Sequence, residues 1–439
     1  MLVFENIWWL LVLIGVMILM HELGHYWAAR FFDVRVETFS FGFGPRLFGF
    51  RKGETDFRFS AILFGGYVKM AGEQPGDEHT DDPRSFLSKP RWQRLIIAFA
   101  GPLMNIVLAI GLLTGLYMFK YPRVAGEDGP AVVGYVAEGS PAEQSGIREG
   151  DTIVQLEDLR NPTWEDVFLR EVASAKRELP VFIDRNGEHI RTVITPALDD
   201  RNGIGFIGWS AQSDILLASV AKGMGAEKAG LKPGDVLLRV NGEPVRSVLK
   251  LHEIIRRSDG KPVDVTYRRA GNESVIAVQP TQGDLNGKQQ WLIGVGLESR
   301  VTYVQLPFGE ALSESVSQNR KGATLIFRAL EGIIERRLSA KTLEGPVGIA
   351  RLSGEAAREG PAAFINLMAM VSLNLAIFNL LPIPVLDGGV ILLLLVEMLM
   401  RRNLSLQVKE AFYKVGFVFL MMLMVFVLYN DISKMMLPG

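Results

Sequence analysis

The sequence predicts a multi-pass α-helical membrane protein with four transmembrane helices, a membrane-associated β-hairpin and two tandem α/β domains. Three observations support this fold class. Of the 439 residues, 48% are hydrophobic, and the long apolar runs lie towards the two ends of the chain. From about residue 124 to residue 300 the apolar runs shorten and glycines multiply, which is typical of a soluble insertion. Within that insertion one short sequence pattern occurs twice.

Composition and charge exclude several functions. The formal net charge of -1 gives no large basic surface, which argues against a nucleic-acid partner. The chain has 0 cysteines, so disulfides and thiolate ligands are excluded and any zinc must be held by histidines and carboxylates. No basic residue precedes the first apolar run, and no small-residue cleavage signal follows it. We therefore expect a retained transmembrane helix rather than a removed signal peptide.

The first apolar run, residues 7–20, leads directly into the pentapeptide His-Glu-Leu-Gly-His at residues 21–25. On a helix His21 and His25 share a face and can hold one metal ion, while Glu22 lies about 100° round, where it can act on a water molecule. Ionisable groups inside a bilayer are costly and by default functional. The alternative is a chance pattern whose histidines bond to neighbouring helices.

Basic residues indicate the orientation of the chain. Eleven Lys and Arg residues lie between positions 30 and 94, and none lies before position 30. By the positive-inside rule this loop is cytoplasmic, so we expect the N-terminus outside and the metal site near the cytoplasm.

The same pattern predicts how the whole chain divides. The predicted parts are 1–32 (first transmembrane helix, with the metal motif), 33–94 (cytoplasmic loop with the hairpin), 95–121 (second transmembrane helix), 124–213 and 214–302 (two repeated domains), 303–360 (amphipathic helical region on the outer side), 361–400 (third transmembrane segment), 401–414 (cytoplasmic loop) and 415–439 (fourth transmembrane helix).

The loop after the first helix contains the predicted β-hairpin. Residues 39–45 and 57–70 alternate apolar residues with glycines. Such a hairpin is ordinarily a small surface sheet. Beside an intramembrane site it could instead dip into the bilayer and offer an edge strand to a substrate, and both interpretations stay open.

The repeated pattern covers residues 142–151 and 226–235, and each copy precedes an apolar strand, at 152–156 and 236–240. A short helix, a Gly-Asp turn and a strand in this order resemble the core of PDZ domains, two in tandem. PDZ domains bind peptides by adding a strand at a sheet edge. No carboxylate-binding loop is evident before Val132 or Leu216, so a spacer or steric collar stays open beside peptide capture.

A second polar segment interrupts the third apolar span. Residues 379–389 contain two prolines, a carboxylate and two glycines. Such a break persists in lipid only where it lines a cavity or is buried in protein. By orientation it lies at the depth of His21 and His25, so Asp387 is predicted to be the third zinc ligand, with a fourth position left open. The alternative is a carboxylate that caps a broken helix.

Together these features resemble the site-2 protease family of intramembrane zinc metalloproteases, and the likeness covers nearly the whole chain. Further matching segments are Phe41-Gly42-Phe43-Gly44-Pro45, Gly65-Gly66-Tyr67-Val68-Lys69, Gly101-Pro102 with Asn105, and Gly345-Pro346-Val347-Gly348.

The resemblance implies functional roles and a setting. His21, His25 and Asp387 would hold Zn²⁺ and Glu22 would be the general base. It also implies a bacterial inner-membrane location with both termini and the PDZ domains in the periplasm. The implied substrates are a transmembrane anti-sigma factor already cut by a first protease, and remnant signal peptides. The implied substrate-handling residues are Asn374, Asn379, Pro382 and Pro384.

Two other functions compete with a protease. A metal transporter or sensor with the same ligands predicts further polar residues along a membrane path, but residues 415–428 contain none. A membrane-tethered PDZ scaffold does not require an acid and two histidines in lipid. Asn105 and Pro102, in the second span, are expected only to shape helix packing.

Overall fold

The computed structural model describes residues 2–73, 82–119, 121–124, 129–199, 202–285, 288–298 and 301–436. The helices are α1 (Leu2–Phe31), α2 (Arg91–Met118), α3 (Pro141–Gln144), α4 (Trp164–Val172), α5 (Gly225–Ala229), α6 (Val248–Arg257), α7 (Phe308–Ile334), α8 (Pro346–Glu359), α9 (Pro361–Leu380), α10 (Asp387–Met400) and α11 (Leu406–Met436).

The strands are β1 (Val36–Lys52), β2 (Thr55–Met70), β3 (Tyr121–Val124), β4 (Ala131–Val136), β5 (Thr152–Leu156), β6 (Leu159–Arg160), β7 (Leu179–Arg185), β8 (Glu188–Ile194), β9 (Ala197–Leu198), β10 (Gly205–Phe206), β11 (Trp209–Ala211), β12 (Ile215–Val220), β13 (Val236–Val240), β14 (Glu243–Pro244), β15 (Val263–Arg269), β16 (Asn272–Val278), β17 (Thr281–Leu285), β18 (Lys288–Leu292), β19 (Val295–Glu298) and β20 (Val301–Val304).

The chain forms two compact units. The first comprises Met1–Tyr121, Gln305–Ile326 and Leu343–Gly439, and the second comprises Pro122–Val304 and Phe327–Thr342.

Four helices among the described residues are long and apolar enough to cross a membrane, namely α1, α2, α9 and α11. Their number agrees with the four predicted from the sequence. The third predicted segment, 361–400, consists of two helices, because α9 ends at Leu380 and α10 begins at Asp387. The last helix begins at Leu406, nine residues before the predicted start.

The helices α1, α2 and α9 form the core of the first unit. Leu13 and Met17 of α1 are buried against Phe364 and Met368 of α9. Contact between α1 and α2 is close at Gly24, where a Cβ atom would lie 2.2 Å from the carbonyl oxygen of Ala100. A small residue is therefore required here, as is common where membrane helices pack closely.

The predicted hairpin is present and is more folded than the sequence suggests. Phe39 of β1 pairs with both Val68 and Phe57 of β2, so residues 36–41 lie between two segments of the second strand. Residues 66–70 consequently form an edge of this sheet. The part of the hairpin around residues 43–62 exposes large apolar side chains, which include Phe48 and Phe50.

The second unit contains two sheets of the same topology. Their strand orders are β11-β4-β5-β7-β8 and β19-β12-β13-β15-β16. In addition, the short strand β6 pairs with β5, and β14 pairs with β13 in the same way. From β4 to β8 equivalent residues lie 84 positions apart, as shown by the Arg185–Asp151 ion pair, which recurs as Arg269–Asp235 in the second sheet, both at 2.7 Å. The last strands, β11 and β19, begin 86 positions apart, at Trp209 and Val295. The repeat seen in the sequence is therefore a repeat of structure.

One of the two edge strands of each sheet comes last in its repeat. Val132 lies in β4 and Leu216 in β12, and both strands are interior to their sheets. The edge strands next to β4 and β12 are β11 and β19, and the opposite edges are β8 and β16. A carboxylate-binding loop is thus not to be sought before Val132 or Leu216, where the sequence shows none.

Candidate metal centre

Two histidines and an aspartate meet inside the first unit. The Nε2 atoms of His21 and His25 lie 3.3 Å apart. Asp387 Oδ2 lies 3.2 Å from His21 Nε2, and Asp387 Oδ1 lies 3.4 Å from His25 Nε2. The helical period explains the pair of histidines, since residues four apart share a face of α1. The structure brings together the three residues predicted as zinc ligands, from sequence positions more than 360 residues apart.

This donor set fits a zinc ion. Zinc bonds of about 2.0–2.1 Å in a tetrahedron place neighbouring ligand atoms about 3.3–3.4 Å apart. The two histidine nitrogens lie 3.3 Å apart, and each lies within 3.4 Å of one carboxylate oxygen of Asp387, Oδ2 for His21 and Oδ1 for His25. Each protein ligand offers one atom, which leaves a fourth position for water or substrate, as in catalytic zinc sites.

Outer contacts orient the two imidazole rings. His25 Nδ1 donates to the carbonyl oxygen of Ile97 at 2.8 Å, which leaves Nε2 as the metal-binding nitrogen. His21 Nδ1 lies 3.3 Å from Asn105 Nδ2, while the buried Oδ1 of Asn105 lacks a partner. With the amide turned so that its oxygen faces His21, Oδ1 accepts from His21 Nδ1 and gains the partner it otherwise lacks. Asn105 therefore orients His21, beyond the packing role expected from its sequence.

Space for the site depends on Gly101. A Cβ atom there would lie 2.2 Å from His25 Nε2. The glycine permits the Nε2 end of the His25 ring to approach α2 closely, and its neighbour Pro102 is accommodated within the helix. The glycine of the Gly-Pro pattern at 101–102 is thus explained by the metal centre.

Asp387 reaches the centre through a tight turn between α9 and α10. Val385 has φ +80°, a left-handed conformation that is strained for a β-branched residue. Cβ atoms on Gly388 and Gly389 would lie 2.1 Å from Leu381 O and 2.4 Å from Ile383 O. The two glycines let α10 begin close behind the turn, so that Asp387 is its first residue.

Glu22 lies beside an edge of the hairpin. Its carboxylate accepts a hydrogen bond from the backbone of Val68, and a Cβ atom on Gly66 would lie 3.2 Å from Glu22 Cγ. A candidate base and an edge strand of the hairpin sheet are therefore neighbours.

The four residues predicted to handle substrate lie close to Asp387 in sequence. Asn374 and Asn379 are half-buried in α9, whereas Pro382 and Pro384 lie in the turn before α10. Pro384 also contacts α11, because a Cβ atom on Gly416 would lie 2.1 Å from its Cβ. Their part in substrate handling stays a prediction.

A helical pair of histidines, an aspartate from a broken helix and an adjacent glutamate define the centre of a zinc peptidase in a membrane protein. The profile of peptidase family M50 matches residues 9–423, and the chain belongs to that family, the site-2 type of zinc metalloprotease.

Curated relatives match along nearly their whole length. A "Putative zinc metalloprotease" of Treponema pallidum is 31% identical over 96% of this chain and 97% of its own. A protein named regulator of sigma E protease from Salmonella typhi is 30% identical over 97% of this chain and 98% of its own. A solved PDZ domain of the SdrC-like protein from Listeria monocytogenes overlaps 20% of this chain and 90% of that domain, with 20% identity and a TM-score of 0.18.

Proposed function

We propose that this protein hydrolyses peptide bonds within the transmembrane segments of single-pass membrane proteins. The observation that carries the proposal is the ligand set His21, His25 and Asp387, assembled on helices long and apolar enough to span a bilayer. A transporter or sensor would not need Glu22 beside the metal ligands and beside an edge strand, and a scaffold would need none of these residues.

In this proposal each group has one task. His21, His25 and Asp387 hold the zinc, with Asn105 and the carbonyl of Ile97 fixing the two rings. Zinc, when bound, supplies a Lewis acid that polarises a carbonyl and lowers the pKa of water. Glu22 takes the proton of the attacking water and later returns it to the leaving amine.

Substrate must reach the site in extended form, because a helix hides its peptide bonds. The sheet edge at residues 66–70 lies next to Glu22 and can pair with an unwound segment by strand addition. Asn374 and Asn379 offer amide groups on α9 for the freed backbone. Exposed Phe48 and Phe50 favour a hairpin that dips into lipid over one that lies on the water surface.

The proposed setting is a bacterial inner membrane, with the termini and the second unit in the periplasm. It rests on the basic residues between α1 and α2 and on relatives named regulators of sigma E. We infer a transmembrane anti-sigma factor, trimmed by an earlier protease, and remnant signal peptides as substrates. A reporter fused near Gly203 should be outside and one near Glu73 inside.

The two repeated domains are proposed to be PDZ domains inserted between α2 and α9. Because they lie outside and the metal lies near the cytoplasm, they take no part in the chemistry. A size filter that excludes substrates with bulky outer domains is the favoured role, and recruitment of a newly formed C-terminus is the alternative.

The test is reconstitution with a single-pass substrate in lipid vesicles, followed by mass spectrometry of the products. We expect cleavage at bonds inside the apolar segment and none after zinc is removed with a chelator. Cleavage confined to residues outside that segment would contradict an intramembrane protease.

A further inference from the structure

The two repeated domains differ at one buried position. Glu171 lies in the last turn of α4 and is 8% exposed. Its counterpart 84 residues later is Ile255 of α6, which is 2% exposed. The first domain therefore buries a carboxylate where the second buries a hydrocarbon side chain, which is costly unless the carboxylate is hydrogen-bonded.

The carboxylate of Glu171 binds the turn that leads into the edge strand. Glu171 Oε1 accepts from the backbone nitrogen of Ile207 at 2.7 Å, and Oε2 accepts from Trp209 Nε1 at 2.8 Å. Ile207 lies between β10 and β11, and β11 is the edge of its sheet. Backbone amides at such a turn, beside an edge strand and a helix, are where a bound peptide would place its terminal carboxylate.

The first domain is also packed closely around this carboxylate. A Cβ atom on Gly205 would lie 2.1 Å from the backbone oxygen of Glu171. The ring of Trp209 is 7% exposed and contacts Trp164 at the start of α4, with ring centroids 5.7 Å apart.

In the second domain the matching place is open. A cavity of about 100 Å³ lies between α6 and the turn before β19, and its lining includes Leu251, Ile255, Ile293 and Val295. These side chains are apolar and would suit an apolar terminal residue.

We infer that Glu171 is an internal ligand of the first domain, occupying the place of a peptide's terminal carboxylate and closing that domain to peptide C-termini. The inference rests on the proposed assignment of these repeats as PDZ domains. The two domains would then differ in function, because Ile255 has no carboxylate and the second domain therefore has no internal ligand.

The first experiment removes the carboxylate of Glu171 by mutation and supplies a carboxylate again as acetate in solution. Glu171→Ala removes the CH₂ and carboxylate, and acetate supplies both. Hydrogen exchange of segment 205–211 is followed by mass spectrometry on the full chain in detergent micelles. We expect exchange to rise roughly tenfold in Glu171→Ala, as for the loss of one buried hydrogen bond. Acetate should reverse the rise, and chloride at equal ionic strength should not.

A control segment and a second variant keep this test decisive. Exchange of 179–185, in β7 of the same sheet, reports whether the domain is folded. If it also rises in Glu171→Ala, the isosteric Glu171→Gln is compared with the wild type at pH 8, where Glu171 is ionised. The NH₂ group of Gln then faces the donors of Ile207 and Trp209, to which the carboxylate is an acceptor. Acetate acting no better than chloride on folded Glu171→Ala, or Glu171→Gln exchanging at 205–211 like the wild type, overturns the inference.

A reciprocal exchange of the two residues tests the consequence for peptides. The probe is an octapeptide of apolar residues with a free C-terminus, compared with its amide. We expect the free acid to slow hydrogen exchange of segment 291–298 in the wild type. In Glu171→Ile it should slow exchange of segment 205–211 as well. In Ile255→Glu it should no longer slow exchange of segment 291–298. Protection of 205–211 in the wild type equal to that in Glu171→Ile overturns the inference. Acetate rescue without peptide protection in any variant supports the internal ligand and contradicts the proposed peptide-binding domains.

Discussion

At the scale of single residues, the metal centre requires a glycine at position 101, because any side chain there would collide with His25. The histidines follow from the helical period, and Asp387 from the cost of an acid in a broken apolar span, so all three could be predicted from the sequence. The role of Asn105 could not, because an amide in an apolar helix looks like a packing residue until the fold places it 3.3 Å from His21.

Substituting Gly101 tests this dependence. In Gly101→Ala the new methyl group would meet the ring of His25 at 2.2 Å, so the ring must move and zinc affinity should fall by about 10-fold to 100-fold. Zinc per purified chain, measured by atomic absorption, checks it. Gly111→Ala in the same helix has open space around its Cβ and is the matched control. Equal zinc contents in the two variants would contradict the proposed packing.

A second residue-scale prediction concerns pH. Burial raises the pKa of Glu171 to about 7 from its ordinary 4.5. Between those values the folded chain holds a proton that the unfolded chain has released, so the free energy of unfolding falls as pH rises. The loss is about 3 kcal/mol at most and is nearly complete at about pH 8.

The measurement compares wild type with Glu171→Gln at each pH, which cancels the intrinsic pH dependence of exchange. Protection of segment 205–211 in the wild type, relative to Glu171→Gln, should decline from pH 5 to pH 8. A constant ratio would show that the carboxyl does not titrate in this interval.

At the scale of secondary-structure elements, a side chain near the end of α11 holds the start of α8 within the first unit. The carboxylate of Asp431, near the end of α11, accepts from the backbone nitrogens of Gly345, Val347 and Gly348 at 2.9 to 3.1 Å. It thereby caps the N-terminus of α8, where a negative charge is favourable. The sequence places an acid in the last turn of an apolar helix but does not name its partner, because the partner is more than 80 residues away.

Removing this cap should loosen the start of α8. Asp431→Ala leaves three buried donors without an acceptor and should cost about 1–3 kcal/mol locally. Hydrogen exchange of residues 345–350 should accelerate, while Glu410→Ala, an exposed acid on the same helix, should leave it unchanged. Acceleration by both variants to the same extent would show a general effect of charge on α11.

Elements also show where sequence patterns mislead. The Gly-Asp turns make the repeat evident in the sequence. The edge strand next to β4 or β12, however, is the last strand of its domain, β11 or β19. A search for a carboxylate-binding loop before Val132 and Leu216 therefore looks beside interior strands. The break in the third span was predicted, whereas the positive φ of Val385 and the contact of Pro384 with Gly416 required the folded chain.

At the scale of the whole molecule, the order of the parts was predictable because each has its own composition. The insertion of the two repeated domains between α2 and α9 leads to a prediction. Replacing residues 124–300 with a short flexible linker should allow cleavage of substrates that keep a bulky outer domain. Cleavage of trimmed and untrimmed substrate is compared in membranes with equal enzyme levels.

The alternative of recruitment predicts the opposite. Under recruitment, the deletion reduces cleavage of the trimmed substrate and gains nothing on the untrimmed one. The filter is wrong if untrimmed substrate stays intact while the shortened enzyme still binds zinc and cuts a short substrate.

The central claim is that a zinc ion held by two histidines and one aspartate serves a glutamate base within the membrane. The most direct measurement is zinc content and cleavage of a transmembrane substrate by wild type, Glu22→Gln and Asp387→Ala. Glu22→Gln should keep its zinc and lose cleavage by about 100-fold or more, because it removes the base and spares the ligands. Asp387→Ala should lose both. Normal turnover by Glu22→Gln would contradict the account.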